Sequence, residues 1–179
     1  MPIATEAQFT EVYRAHYEDV LWFVRRRAHP MNVDDVVGET FLAAWRRRRE
    51  LPDNARPWLF GTARNLMLNA NRGMRRQSAL VVHIGRTATA TATVVAYDPT
   101  AGVDSRLELV EAWQALAAAD QEVLALHVWE DLSAKEAARV LGCTRASYSM
   151  RLTRAKRRLA DRLGHSAAME SSALFLSTR

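Results

Sequence analysis

From Phe9 onward, apolar and aromatic side chains return at Val12, Tyr13, Tyr17, Val20, Leu21 and Val24. This three-and-four spacing sets one stripe of an α-helix against a core. The helix is expected to stop near His29, because Pro30 disfavours helical geometry in the residue before it. A second helix is predicted across "NVDDVVGETFLAAWRRRRE", capped by Asn32 or Asp34, with acids in its first turn and Val37, Phe41, Ala44 and Trp45 on one stripe. After the turn-rich "LPDNARP", Pro57 suits the first position of a third helix, with Leu59, Ala63, Leu66 and Ala70 on its inner face. Three helices on short links make a small bundle.

The pattern then fades. Residues 77–105 alternate Ala and Thr, carry almost no charge and show no helical stripe. They read as a flexible tether, since a lone strand without a partner is marginal. Helical spacing resumes with Leu107, Val110, Trp113 and Leu116, followed by a helix begun by Asp120 that holds Val123, Leu124, Leu126 and Val128. In "SAKEAARVLG", Ser133 and Glu136 fit a capping box, Ala137, Val140 and Leu141 form an inner face, and Gly142 stands where a left-handed cap belongs. Thr144 can cap a last helix. A short helix, a tight turn and a basic helix make a helix-turn-helix.

Along that last helix, Tyr148, Leu152, Ala155 and Leu159 fall on one side, so they must face the core. Rotation then sends Ala146, Met150, Thr153, Arg154 and Arg157 directly outward, with Ser147, Ser149, Arg151, Lys156 and Arg158 on the flanks. The outward face begins with small and hydroxyl-bearing groups and becomes cationic later. That order suits a helix entering a major groove, where small groups allow approach to base edges, Arg reaches guanine and later cations hold phosphates.

Charge placement sharpens the reading more than the totals, a net +5 over 179 residues. Residues 106–138 carry two basic groups and seven acids, whereas residues 139–163 carry eight basic groups and one acid. Such polarity points to a surface for a polyanion, with the acidic half facing elsewhere. The 49% hydrophobic content is enough for a real core. No run is apolar enough for a membrane span and the start lacks signal-peptide order, so the protein is expected in the cytosol, off the membrane. The single cysteine, Cys143, reads as a small semi-buried side chain. His16, His29, His83, His127 and His165 are scattered, and neither a metal-ligand motif nor a phosphate-cradling glycine loop is present. No enzyme, metal or cofactor is expected.

Taken together, the two halves resemble the extracytoplasmic-function sigma factors of bacterial RNA polymerase. "FTEVYRAHYEDVLWFVRRR", "DDVVGETFLAAWRR" and "RPWLFGTARNLMLNANR" look like the family's region two, and "LAAADQEVLALHVWEDLSAKEAARVLGCTRASYSMRLTRAKRRL" looks like region four. The implied fold is all-α: two small helical domains, 1–76 and 106–163, joined by a flexible linker at 77–105 and followed by a tail at 164–179, frayed or docked. A stand-alone helix-turn-helix repressor would share the second half, but has no reason to carry the first.

The resemblance also implies a division of labour. Asp34, Asp35, Val36, Val37, Glu39, Thr40, Phe41 and Trp45 match the surface that docks on the clamp helices of the polymerase largest subunit; taken alone, the acids read better as groups that cap and solubilise the helix, and only the resemblance favours a partner. The second-largest subunit is a further implied contact. The stretch "RRRRELPDNARPWLFGTARN" matches the loop and helix used on the melted minus-ten element. There Arg46 to Arg49, Arg56, Arg64 and Arg72 can grip phosphates, and Asn54, Asn65 and Asn69 can bond an extruded base. Trp58 and Phe60 either stack on that base or pack inside. The minus-thirty-five readers carry over onto Thr144, Ala146, Ser147, Ser149, Met150, Thr153 and Arg154, with Arg157 and Arg158 on phosphates. Ala146-Ser147-Tyr148-Ser149 departs from the family's usual Gly-Thr-Val-basic run, which puts the promoter sequence in doubt. An anti-sigma factor is the implied regulator.

Overall fold

The spacing returns as seven α-helices, with no strand, among the residues that this computed structural model describes: 3, 5–28, 32–70, 80–83 and 102–176, side chains at 102–105 and 165–176 left aside. They are α1 (Glu6–Arg25), α2 (Val33–Arg46), α3 (Arg56–Ala70), α4 (Gly102–Gln114), α5 (Ala118–Val128), α6 (Ala134–Leu141) and α7 (Arg145–Leu176). The all-α expectation holds. Helix α1 begins with a capping box, in which the Gln8 amide donates to Thr5 Oγ1 and the Thr5 amide to Gln8 Oε1.

Helices α1, α2 and α3 form the N-terminal bundle. Val20, Phe23, Val24, Val37, Phe41, Leu59, Phe60 and Ala63 fill its centre, and Phe23 and Phe60 stack 4.5 Å apart. Helix α3 corrects its expected face. Ala70 is exposed, while Phe60, Arg64 and Met67 are buried. The cause is that α3 packs on α2 and, from another side, on α6, so its buried arc is wider than one stripe. Pro57 is the second residue of α3, not its first.

The C-terminal module holds α4 to α7. Its helix-turn-helix forms as expected. Ser133 and Glu136 make the capping box, Gly142 ends α6 at φ 64°, and the Ser147 amide donates to Thr144 Oγ1 at the start of α7. A non-glycine at Gly142 would be strained by that positive φ. Tyr148 and Ala155 are buried, and Leu152 and Leu159 pack beside them. Three expectations need correction. Helix α5 starts at Ala118, and Asp120 is a buried ion-pair partner in its first turn, not the cap. Leu107 and Val128 face solvent, not a core. Helix α7 runs on to Leu176, so the backbone of most of the tail extends the helix and is not a frayed end. Cys143 is half-buried, as expected.

The tether also differs from expectation where it is described. Leu80 and Val82 point inward and Val81 outward, an extended alternation. The Val82 amide donates to Gln121 Oε1 at 3.1 Å, Trp113 Nε1 donates to the Val82 carbonyl at 2.8 Å, and the His83 amide donates to the Arg26 carbonyl at 2.9 Å. Residues 80–83 are therefore a strap across the two modules. Residues 102–105, expected in the linker, already belong to α4; the rest of 77–101 lies outside the described residues, as does the expected boundary at 76.

Candidate nucleic-acid interface

Local rules place the outward face of α7. The αL residue at Gly142 turns the chain, Thr144 caps the new helix, and Tyr148 and Ala155 lock its rotation against α5. Thr144, Ala146, Ser149, Met150, Thr153, Arg154, Arg157 and Arg158 are all exposed, Met150 to 56%, and Ser147 is half-buried. Thr153 Oγ1 bonds back to the Ser149 carbonyl, leaving its methyl free for contact. Among the described residues Arg154 meets no carboxylate, and Arg157 meets Asp161 only at 3.9 Å with both side chains in water. Arg158 is different: its Nη1 donates to both oxygens of Asp120, at 2.9 and 2.7 Å. This phosphate-holding candidate is half committed to its own module.

The second site lies on α3. A cleft of about 520 Å³ gathers Asn54, Trp58, Thr62 and Asn65 on one wall and brings in Arg47 and, from α6, Arg139. The amides, the indole and the cations together offer what an extruded base and its phosphate need. Asn69 is exposed one turn beyond Asn65, and Arg72 lies outside the described residues. Phe60 packs inside, and Trp58 is half-buried at the cleft edge. Arg46, Arg47 and Arg49 are exposed, whereas Arg48 lies 4.3 Å from the Trp45 ring centroid and donates to the Trp45 carbonyl.

Arg56 and Arg64 do not share the cleft wall. Arg64 is buried and forms a two-pronged bond to Glu122, Nε to Oε1 at 2.7 Å and Nη2 to Oε2 at 3.0 Å. Arg56 donates through Nε to Asp19 and through Nη1 to the Glu130 carbonyl, both at 2.7 Å. Glu130, 1% exposed, also takes Arg26 Nη2 at 2.7 Å and Arg27 Nη1 at 2.9 Å. Its position follows from the end of α5. The Glu130 amide bonds back to Ala125, and Asp131 adopts φ 47°, which turns the chain and drives the carboxylate inward. Asn54 Nδ2 donates to Glu136 at 2.6 Å. The Ser133 hydroxyl and amide, with Asn54, hold the Glu136 carboxyl below the usual carboxylate range. The acidic half of the C-terminal module thus faces the arginines of the N-terminal one.

The α2 set divides by burial. Asp34, Asp35 and Glu39 are exposed and Trp45 half-exposed, but Val36, Val37, Thr40 and Phe41 are core, with Thr40 Oγ1 bonded to the Val36 carbonyl. Those four cannot form a docking surface directly. Sequence reasoning overlooked Leu42, 39% exposed in the middle of the acid-framed outer face. The available signal was an apolar residue off the inner stripe among acids. Arg139 and Thr62 were missed because a cleft shared by two modules leaves no local pattern.

Two family profiles match the chain: "Sigma-70 region 2" over residues 12–77 and "Sigma-70, region 4" over residues 106–159. The chain is 31% identical over 133 residues to RNA polymerase sigma factor NccH of Alcaligenes xylosoxydans xylosoxydans, covering 72% of this chain and 71% of that protein. It is 28% identical over 162 residues to ECF RNA polymerase sigma factor SigL of Mycobacterium tuberculosis, covering 87% and 89%. Its fold is similar to that of the sigma factor RpoE in complex with the anti-sigma factor NepR from Bartonella quintana, with TM-score 0.60 and 22% identity over 87% of this chain and 96% of that one. CnrH in complex with the cytosolic domain of CnrY gives TM-score 0.60 and 24% identity over 90% and 91%.

Proposed function

The chain belongs to the extracytoplasmic-function sigma factors of bacterial RNA polymerase, and from that premise we propose which of its surfaces meet the polymerase and the promoter. It is an alternative sigma factor and directs transcription initiation. The finer assignments are these. The outer face of α2, with Leu42 framed by Asp34, Asp35 and Glu39, docks on basic clamp helices of the largest subunit, and the C-terminal module reaches the second-largest subunit. The α3 cleft takes a base leaving the duplex, with Asn54, Asn65 and Asn69 as hydrogen-bonding partners and Trp58 as the stacking edge; Arg56, Arg64 and Arg72 serve phosphates. Helix α7 reads the upstream element with Thr144, Ala146, Ser147, Ser149, Met150, Thr153 and Arg154, while Arg157 and Arg158 hold the backbone.

The observation that carries the reading is the open α7 face, small at its capped start and cationic later, on the same chain as a cleft suited to a single base. Each module alone is a weak DNA ligand. Held together on polymerase, the second contact becomes intramolecular, and choice of promoter follows from both. The chain carries no chemistry of its own and acts in the cytoplasm with the polymerase. Among the described residues no helix is long and apolar enough to cross a membrane. An anti-sigma partner is proposed by extension from RpoE, which was solved with one.

Mixing the purified chain with core polymerase tests this directly. It should co-elute with core on gel filtration and start specific runoff transcripts. Failure to do either would favour a stand-alone repressor, which would dimerise and bind spaced half-sites.

A further inference from the structure

Met150 of α7 is 56% exposed within a run of arginines and a lysine. A single apolar side chain in water is ordinary, but Met150 does not stand alone on its face. Ala146 lies four residues before it and Thr153 three after, a spacing that stacks the three along one line of the helix, and all three are exposed. The Thr153 hydroxyl donates to the Ser149 carbonyl at 3.1 Å, which leaves its methyl free for contact. The line therefore presents two methyl groups and a thioether, and none of its side chains has a proton left to donate. Tyr148 and Ala155, 1% and 0% exposed on the opposite side, hold the helix in this rotation. Helix α6 packs on α3 at the seam between the two modules, while the line on α7 stays exposed.

Base edges in a major groove answer such a line unequally. Guanine shows two acceptors, N7 and O6, which would lose water against methyl groups and gain no donor. Thymine shows a 5-methyl group, which sheds water against them. We propose that Ala146, Met150 and Thr153 recognise the 5-methyl group of thymine, so that the upstream element of this chain holds a thymine beside the guanine within reach of Arg154. This rests on the reading of α7 as the helix in the major groove, and adds to it the base that the apolar part of the face selects.

The neighbouring cations leave this line to the methyl groups. Lys156 Nζ lies 3.0 Å from His127 Nε2 of α5, and Arg158 is bonded to Asp120, so both flanking charges are drawn back toward their own module. Arg157 continues the line one turn beyond Thr153, at the height of the phosphates and past the base-reading end. Met150 suits a flat base edge, because its unbranched, polarizable side chain shapes itself to what it meets. Each methyl contact is small beside a two-pronged arginine bond, so the line selects among sequences and adds little to affinity. Cytosine methylated at C5 carries the same group as thymine, and the line should favour it over plain cytosine.

The test uses holoenzyme assembled from the full chain and core polymerase, which first selects duplexes from a library randomised across the upstream element. The selected sequence should hold thymine beside guanine. In the best duplex, labelled with fluorescein, replacing that thymine by deoxyuridine deletes only the methyl and should weaken binding about fourfold, the worth of one buried methyl group. A duplex with 5-methylcytosine at that position should bind about fourfold more tightly than one with cytosine. Met150→Ala should bind the thymine and deoxyuridine duplexes alike. Thr153→Val, which keeps the methyl, should hold the preference, and Thr153→Ser, which keeps the hydroxyl, should lose part of it. Circular dichroism should show the same helix content for all three variants, whose positions are exposed. Equal binding of thymine and deoxyuridine duplexes at every upstream position overturns the proposal, as does a preference that survives Met150→Ala and Thr153→Ser together. If Arg154→Ala still changes the selected sequence, only the methyl reading has failed. A library that yields no upstream sequence, or one that neither Arg154→Ala nor Met150→Ala alters, sinks the placement of α7 in the groove as well.

Discussion

Helices α3 and α7 both carry arginines that the family pattern points at DNA, yet the chain treats them in opposite ways. On α3, Arg64 is buried against Glu122 and Arg56 is bound to Asp19 and the Glu130 carbonyl. On α7, Arg154 projects into water and meets no carboxylate among the described residues, and Arg157 meets only the exposed Asp161, at 3.9 Å. The difference lies in what each helix is packed against. Helix α7 packs on its own module through the inner stripe of Tyr148, Leu152, Ala155 and Leu159, with Arg158 reaching Asp120 at the edge, and leaves its opposite side open. Helix α3 is covered from two directions. A cation count along a sequence therefore reports how much charge is available, and tertiary packing decides which of it is free.

The largest break in this contrast should come from Arg64→Ala. It strands Glu122, whose side chain is only 4% exposed, and losing one partner of a buried pair costs about 3–5 kcal/mol. Urea unfolding of the full chain should show a loss of that order, or a comparably early separation of the modules by scattering. Arg154→Ala should move the same unfolding curve by less than about 0.5 kcal/mol, as exposed positions do. A curve unmoved by Arg64→Ala would mean that the seam is open in solution and the two helices are alike.

A second contrast lies within α7. Arg154→Ala should cost about 1–3 kcal/mol of discrimination between promoter and random duplex, as for a lost base contact. Arg158→Ala should weaken both duplexes alike and reduce the salt slope by about one. Because Arg158 is more than half exposed, losing its bond to Asp120 should cost less than about 1 kcal/mol of stability. Equal losses on both duplexes for both variants, in a fluorescence titration, would remove the distinction between reading and holding.

The same contrast marks how far the chain could be read without coordinates. The helix-turn-helix was fully legible, because its signals are local: the Ser133 and Glu136 box, Gly142, the Thr144 cap and the stripe from Tyr148 to Leu159. The outward face of α7 followed from rotation alone. On α3 the same reasoning placed Leu59 and Ala63 inward, as they are, but put Ala70 there too, left out Met67 and counted Arg56 and Arg64 as free, because α6 and the end of α5 arrive from more than fifty residues away. The charge imbalance between 106–138 and 139–163 was visible, but not that the acids turn toward the other module. The strap at residues 80–83 escaped notice for a related reason. Leu80 and Val82 have no stripe to belong to and are ordered by Trp113 and Gln121, distant in sequence.

The smallest effect tests what holds the legible helix in place. Tyr148 is buried, and burial, with a lesser push from Cys143, raises its phenol to about 12 from 10.0. Its hydroxyl donates to the Val123 carbonyl at 3.4 Å, a long bond that adds little. As pH climbs past 10.0 the unfolded chain ionises first, so the stabilisation from a neutral buried Tyr148 is complete below 10.0 and disappears as pH rises through about 12. Tyr148→Phe should cost less than about 1 kcal/mol at neutral pH, since it removes one weak hydrogen bond and keeps the ring. It should also flatten the alkaline fall in Tm followed by circular dichroism. Arg154, on the opposite side of the same helix, should leave that alkaline limb untouched when changed to Ala. If both variants lose stability in parallel between pH 10 and 12, Tyr148 is not what fixes the rotation of α7, and the separation of its inner and outer faces loses its anchor.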